Sequence, residues 1–277
     1  RHLQEEDTHG KVPSIPRHTP PTPPHGDLNA LREAARLLVN AENPVILAGR
    51  TARSQAGMEH LVELAEALQA PVSGDDRMNF PNDHYLSQGG GALIRRADVI
   101  LGLENNELWN TVNSMRDRVH RTASRVARDD VKLISLRAED LYIKSNYQNF
   151  QRFQPVDLDI SGDAEASLPY LIEEVKKQIP RSRRSRLRER EQAFRKSHHE
   201  AMEQARTESA LGWNSRPVSV DRVRMELWDV MKDRDFSFVG RARFASRLWK
   251  MNRQRLAFEP TRDSLLYVAG KLEQKLG

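Results

Sequence analysis

Three short, continuous apolar runs set the architecture of this 277-residue chain: Val45-Ile46-Leu47-Ala48, Val99-Ile100-Leu101-Gly102-Leu103 and Leu133-Ile134-Ser135-Leu136. A strand that is apolar at every position has no solvated side, so each run predicts a strand covered on both faces, as in a parallel sheet. Amphipathic stretches separate them. Asp27 reads as an N-cap before Leu28, Leu31, Ala35, Leu38 and Val39, and Asn43-Pro44 stops that helix. Met58, Leu61, Val62, Ala65 and Leu68 make the next helix, and Leu93, Ile94 and Ala97 end a short one. Ala70-Pro71-Val72 supplies a further short strand, and Val156 to Ile160 alternates as a half-exposed edge strand would. Leu168, Leu171, Ile172, Val175 and Ile179 close the series with a helix whose start the first-turn preference of Pro169 puts near Ser167. Strands alternating with helices predict right-handed βαβ units, hence a Rossmann-like, doubly wound parallel α/β sheet of five strands.

The flanks read differently. Residues 1–26 are a connector, with six prolines between Val12 and Gly26. Residues 27–180 are the parallel domain. Residues 181–216 are a basic helical linker with a narrow apolar stripe of Leu187, Phe194, Ala201, Met202 and Ala205. Residues 217–277 begin a second, truncated α/β unit: a helix capped by Ser219 with Val220, Val223, Leu227 and Met231 on one face, then a strand at Phe236-Ser237-Phe238-Val239. The net charge of +5 is concentrated in six arginines between Arg181 and Arg190. Such a run is either a phosphate contact or, the favoured reading, a solvated helix face.

Composition removes several functions. With no Cys there is no disulfide, thiolate nucleophile or zinc–cysteine site. Aromatics at 6% argue against a nucleic-acid stacking surface, and no run reaches membrane-spanning length. The sequence opens on Arg1 with no signal-peptide core, so the expectation is a cytoplasmic chain whose natural start lies upstream, with export left open.

One loop is the first candidate for a ligand. Gly49, Arg50, Thr51, Arg53 and Ser54 follow the first strand and open a helix, where backbone N–H groups and the helix dipole favour phosphate. Gly89 and Gly90, with Gly102 and Glu104 at the end of the third strand, are expected to form the opposite wall. The same residues fit an ordinary βα turn. Asp75-Asp76 and Glu104-Asn105-Asn106-Glu107 lack regular ligand spacing and read as solvated loops, and His198-His199 as surface residues.

The order of these segments resembles the acetolactate-synthase-like family of thiamine-diphosphate-dependent enzymes. Leu31 to Val72, "LREAARLLVNAENPVILAGRTARSQAGMEHLVELAEALQAPV", is similar to the opening of that family's central domain. "ADVILGLENNELW" from Ala97 and "KLISLRAEDLYIKSNYQNFQ" from Lys132 continue it, and "RPVSVDRVRMELWDVMKDRDFSFVG" from Arg216 is similar to the start of its diphosphate-binding domain. The resemblance implies a homo-oligomeric parent enzyme, a dimer or tetramer, that cleaves or joins C–C bonds of 2-oxo acids with thiamine diphosphate and Mg²⁺. It also implies that this stretch is mostly architectural, the central domain binding FAD or ADP in some members. The Gly-Asp-Gly metal segment of the family does not occur here; Ser161-Gly162-Asp163-Ala164 is the nearest match. The loop at Arg50 and Thr51 is also less Gly-rich than in flavin-binding members. A nucleotide-binding module and a structural subunit docking an acidic partner through the basic helix are the competing expectations.

Overall fold

The structure, a computed structural model, describes residues 22–74, 80–81, 83–105, 108–117, 119–120, 122–138 and 154–231. In chain order its elements are α1 (Leu28–Asn40), β1 (Pro44–Ala48), α2 (Gln55–Leu68), β2 (Val72–Gly74), α3 (Gly91–Arg96), β3 (Val99–Leu103) and α4 (Leu108–Val112). There follow β4 (Asn113–Asp117), β5 (Thr122–Arg125), β6 (Lys132–Arg137), β7 (Leu158–Ser161), α5 (Ala164–Gln178), a 3-10 turn at Arg181–Arg183, α6 (Arg184–Leu211) and α7 (Val220–Met231). Residues 1–21 of the connector, Asp75-Asp76, Asn106, Glu107 and the expected strand at Phe236–Val239 lie outside the described residues.

Five strands form one parallel sheet in the order β2-β1-β3-β6-β7, as the alternation of apolar runs predicts. Because every strand residue points to the side opposite its neighbour, the continuous runs feed two separate cores. Ile46, Ala48, Leu101, Leu103, Ile134, Leu136 and Ile160 face α1, α2 and α5. Val45, Leu47, Ile100 and Leu133 face α3 and α4 with Ala127 and Val131. Each fully buried Leu or Ile here contributes about 1.5–3 kcal/mol of apolar burial.

Local chemistry sets the ends of the elements. The Asp27 carboxylate accepts the Ala30 N–H at 2.9 Å, and Ser54 Oγ accepts the Gly57 N–H at 3.0 Å. α5 begins at Ala164, three residues before the expected start near Ser167, because the Asp163 carboxylate caps Ala166 N–H at 2.9 Å. Pro169 therefore sits inside the helix, on its exposed side. β4 and β5 form an antiparallel hairpin that the sequence reading does not contain. The edge strand β7 is followed by a close crossing: a side chain on Gly162 would collide with the Gly26 backbone. There the connector is fastened, with Pro24 C=O accepting Asp163 N–H at 2.8 Å and Gly26 N–H donating to Ser167 Oγ at 2.9 Å.

The structure corrects the solvated-face reading for two of the six arginines of the basic run. Arg181, Arg184 and Arg188 are exposed, but Arg183 and Arg190 turn back onto the parallel domain and donate to backbone carbonyls. In α7, Ser219 Oγ accepts the Arg222 N–H at 3.2 Å, consistent with the expected cap.

Candidate functional site

The order β2-β1-β3-β6-β7 reverses direction between β1 and β3, so the topological switch point lies at their carboxyl ends. The Gly49–Ser54 loop and Glu104 meet there. Gly49 N–H donates to Leu103 C=O at 2.8 Å, and Glu104 N–H to Leu136 C=O at 2.9 Å, so the ladder continues past the strand ends. Only glycine fits at 49, since a Cβ would collide with the Glu104 carbonyl oxygen. Thr51 is fully buried and its hydroxyl donates to Leu103 C=O at 2.9 Å, which turns it into the fold and away from any open cleft.

Arg53 and Ser54 are engaged by the turn that leads into α5. Arg53 Nη2 pairs with Asp163 Oδ2 at 2.5 Å, and Asp163 is almost wholly buried. Glu165 accepts the Arg53 N–H at 2.5 Å and the Ser54 hydroxyl at 2.6 Å. The absent side chain of Gly57 makes room for it: a Cβ there would stand 2.5 Å from Glu165 Cδ. Glu104 Oε1 accepts Ala164 N–H at 3.0 Å, at the start of α5, and Ala138 N–H at 3.1 Å. Glu104 reaches both from a left-handed backbone, φ 48°, a conformation that costs a non-glycine residue about 1 kcal/mol. Burial raises its carboxyl pKa above the usual range, with the Ala164 and Ala138 N–H groups and Arg53 opposing. The Arg53 guanidinium is raised; burial opposes that rise, and Asp163 and Glu165 outweigh it.

Among the expected site residues, the structure brings together Gly49, Thr51, Arg53, Ser54 and Glu104. Arg50 is exposed at the rim, and Gly102 is buried within β3 in contact distance of Leu108. Ser87 pairs with Val72 on the side of β2 away from β1, and Gly89 and Gly90 follow it into α3, where a Cβ on either would meet nothing within 4 Å. Asp163 and Glu165 are the site residues that sequence reasoning passed over. Their one signal is their place just after a strand and at the start of a helix, the position argued for the Gly49 loop.

The arrangement has the wiring of an anion site with the anions already in place. In the opening turn of α5, where N–H groups would hold a phosphate, Ala164 and Ala166 are bonded to Glu104 and Asp163, and just before α2 Glu165 takes the Arg53 N–H and the hydroxyl of the N-cap Ser54. A diphosphate would have to displace these carboxylates and stand among the charges that remain, so the residues present do not fit FAD, ADP or thiamine diphosphate at this edge. Asp163, the acid of the nearest match to Gly-Asp-Gly, is held by Arg53 and Ala166 N–H. Among the described residues no group of three His, Asp or Glu side chains is placed to hold a metal ion.

Fold and site together define a parallel α/β domain of the nucleotide-binding type whose ligand edge is closed by its own side chains. The family model for the central domain of thiamine pyrophosphate enzymes matches residues 31–171, and the chain belongs to that family. It is 41% identical over 91 residues to a sulfoacetaldehyde acetyltransferase of Roseovarius nubinhibens, covering 29% of this chain and 15% of that one. A probable sulfoacetaldehyde acetyltransferase of Rhizobium meliloti is 40% identical over the same length and the same shares. The match thus spans about 15% of the length of these relatives. Among solved structures, benzoylformate decarboxylase from Polynucleobacter necessarius aligns with 20% identity and a TM-score of 0.40, over 61% of this chain and 30% of that one.

Proposed function

We propose that this chain supplies the architectural central domain of a thiamine-diphosphate-dependent enzyme acting at C–C bonds next to a carbonyl, and that it binds no nucleotide of its own. The observation that carries the reading is the set of carboxylates at this edge: Glu104 and Asp163 bonded to the first turn of α5, and Glu165 bonded to Arg53 and Ser54 just before α2. The acetyltransferase relatives favour acyl transfer, with sulfoacetaldehyde as the first substrate to try, over the acetolactate synthase chemistry that the resemblance alone suggests.

Calorimetric titration of ADP and of FAD into the chain tests the architectural part. The expected result is no saturable heat with either. Saturable binding of FAD or ADP that Arg50→Ala weakens at least tenfold would overturn the reading in favour of a nucleotide-binding domain.

A further inference from the structure

The arginines that face the parallel domain lie on one stripe of the helical segment. Positions 183, 186, 187 and 190 fall three and four residues apart, so they share a face. That face rests where α1 and α2 end side by side. The last carbonyls of a helix have no partner within it, and the dipole makes that end partly negative. Arg183 donates to Asn40 C=O at 2.5 Å and to Ala41 C=O at 3.0 Å. Arg190 donates to Leu68 C=O at 2.9 Å and Ala41 C=O at 3.4 Å, so one guanidinium joins the ends of both helices. Arg186 pairs with Glu42 just beyond α1. Between them Leu187 borders a small hollow together with Leu38, Val39, Ala67 and Ile179. Burial pushes the Arg190 pKa down, and Arg183 and Arg186 add repulsion, so Arg190 is held here by its carbonyl partners.

We propose that Arg183 and Arg190 form a clamp that fixes the direction in which the chain leaves the parallel domain. The proposal rests on the architectural reading, because a central domain serves its enzyme by setting where the flanking segments lie. Leu187 and Phe194 alone would give a non-directional contact that tolerates sliding. The planar guanidinium forks add bonds of fixed geometry at two points about two helical turns apart. Past Arg195, whose guanidinium lies 3.9 Å over the Tyr85 ring, most of α6 is exposed. Angular play at the clamp is therefore amplified: from Arg190 to Leu211 α6 runs on for about 32 Å, so a swing of about 10° moves its far end by about 5–6 Å.

The chain has no Cys, so spin labels at Glu59→Cys in α2 and Glu208→Cys near the end of α6 are unambiguous. Pulsed electron–electron resonance should give one narrow distance distribution for the otherwise unaltered chain. R183A/R190A should widen or shift it by roughly 5 Å or more, from the same lever arithmetic. R190K keeps the charge and the stem but loses the fork, and should fall between the two. A distribution in R183A/R190A equal to the parent's overturns the clamp and leaves Leu187 and Phe194 sufficient. Where circular dichroism shows the double variant unfolded, an R190K distribution equal to the parent's overturns it. Neither result touches the ligand titrations, so failure of the clamp and failure of the architectural reading are read separately.

Discussion

Glu104 is the residue on which the closed edge of the sheet turns. Its carboxylate serves two N–H groups, yet it lies in a place that disfavours charge. A carboxyl whose pKa rises on folding binds more protons folded than unfolded between the two values. Its contribution to stability is therefore most favourable at or below the unfolded value near 4.5 and falls as pH rises through the folded value. Glu104→Gln keeps the accepting oxygen and removes the charge. Its urea midpoint, compared with the parent's between pH 4 and 8, should show the parent losing ground as pH rises and the difference levelling above the folded pKa. Glu104→Ala instead strands both N–H groups and should cost about 1–3 kcal/mol at neutral pH. Equal stability of the Ala variant and the parent would show that water replaces the carboxylate. The sequence marks Glu104 only as the residue after a strand. Its partners, Ala138 and Ala164, lie 34 and 60 positions away, and nothing local announces them.

At the scale of elements, the parallel strands were legible because a run such as Val99–Leu103 admits one explanation, burial on both faces. The β4–β5 hairpin was not: its strands read NSMRD and TASR, with one apolar residue each and no alternation, and only backbone pairing defines them. α5 shows propensity overruled. Pro169 points to a helix start within its own first turn, but the Asp163 cap begins the helix earlier and leaves proline at the sixth helical position. There its missing N–H leaves the Glu165 carbonyl without its helical donor. Pro169→Ala restores that bond at an exposed site while loosening the unfolded chain, and should stabilise by about 1–2 kcal/mol. A fall in melting temperature would mean that the ring makes a contact worth more than the bond.

At the scale of the whole molecule, the chain is a sheet with two cores, one edge sealed by carboxylates and a long helix fixed to its far end by arginines. Thiamine-diphosphate chemistry needs a metal–diphosphate anchor, and no Gly-Asp-Gly segment occurs in the sequence. The isolated chain, given thiamine diphosphate and Mg²⁺, should leave sulfoacetaldehyde and 2-oxo acids unconsumed when substrate is followed over hours; depletion above the buffer rate would contradict this. The sequence by itself determined the fold class, the order and number of the parallel strands' apolar runs, the caps at Asp27 and Ser219 and the family, because each is written in neighbouring residues or in periodicity. Only the tertiary structure decided that Thr51 faces inward, that Ser87 pairs on the outer side of β2, that Glu104, Asp163 and Glu165 bond the start of α5 and the residues before α2, and that two of the six arginines of a basic run are bonded to carbonyls. For the carboxylates and the arginines the physical reason is shared: a helix start or a helix end leaves backbone groups for whatever the fold carries there, and the Arg53–Glu165, Arg183–Ala41 and Arg190–Leu68 partners are more than a hundred positions apart.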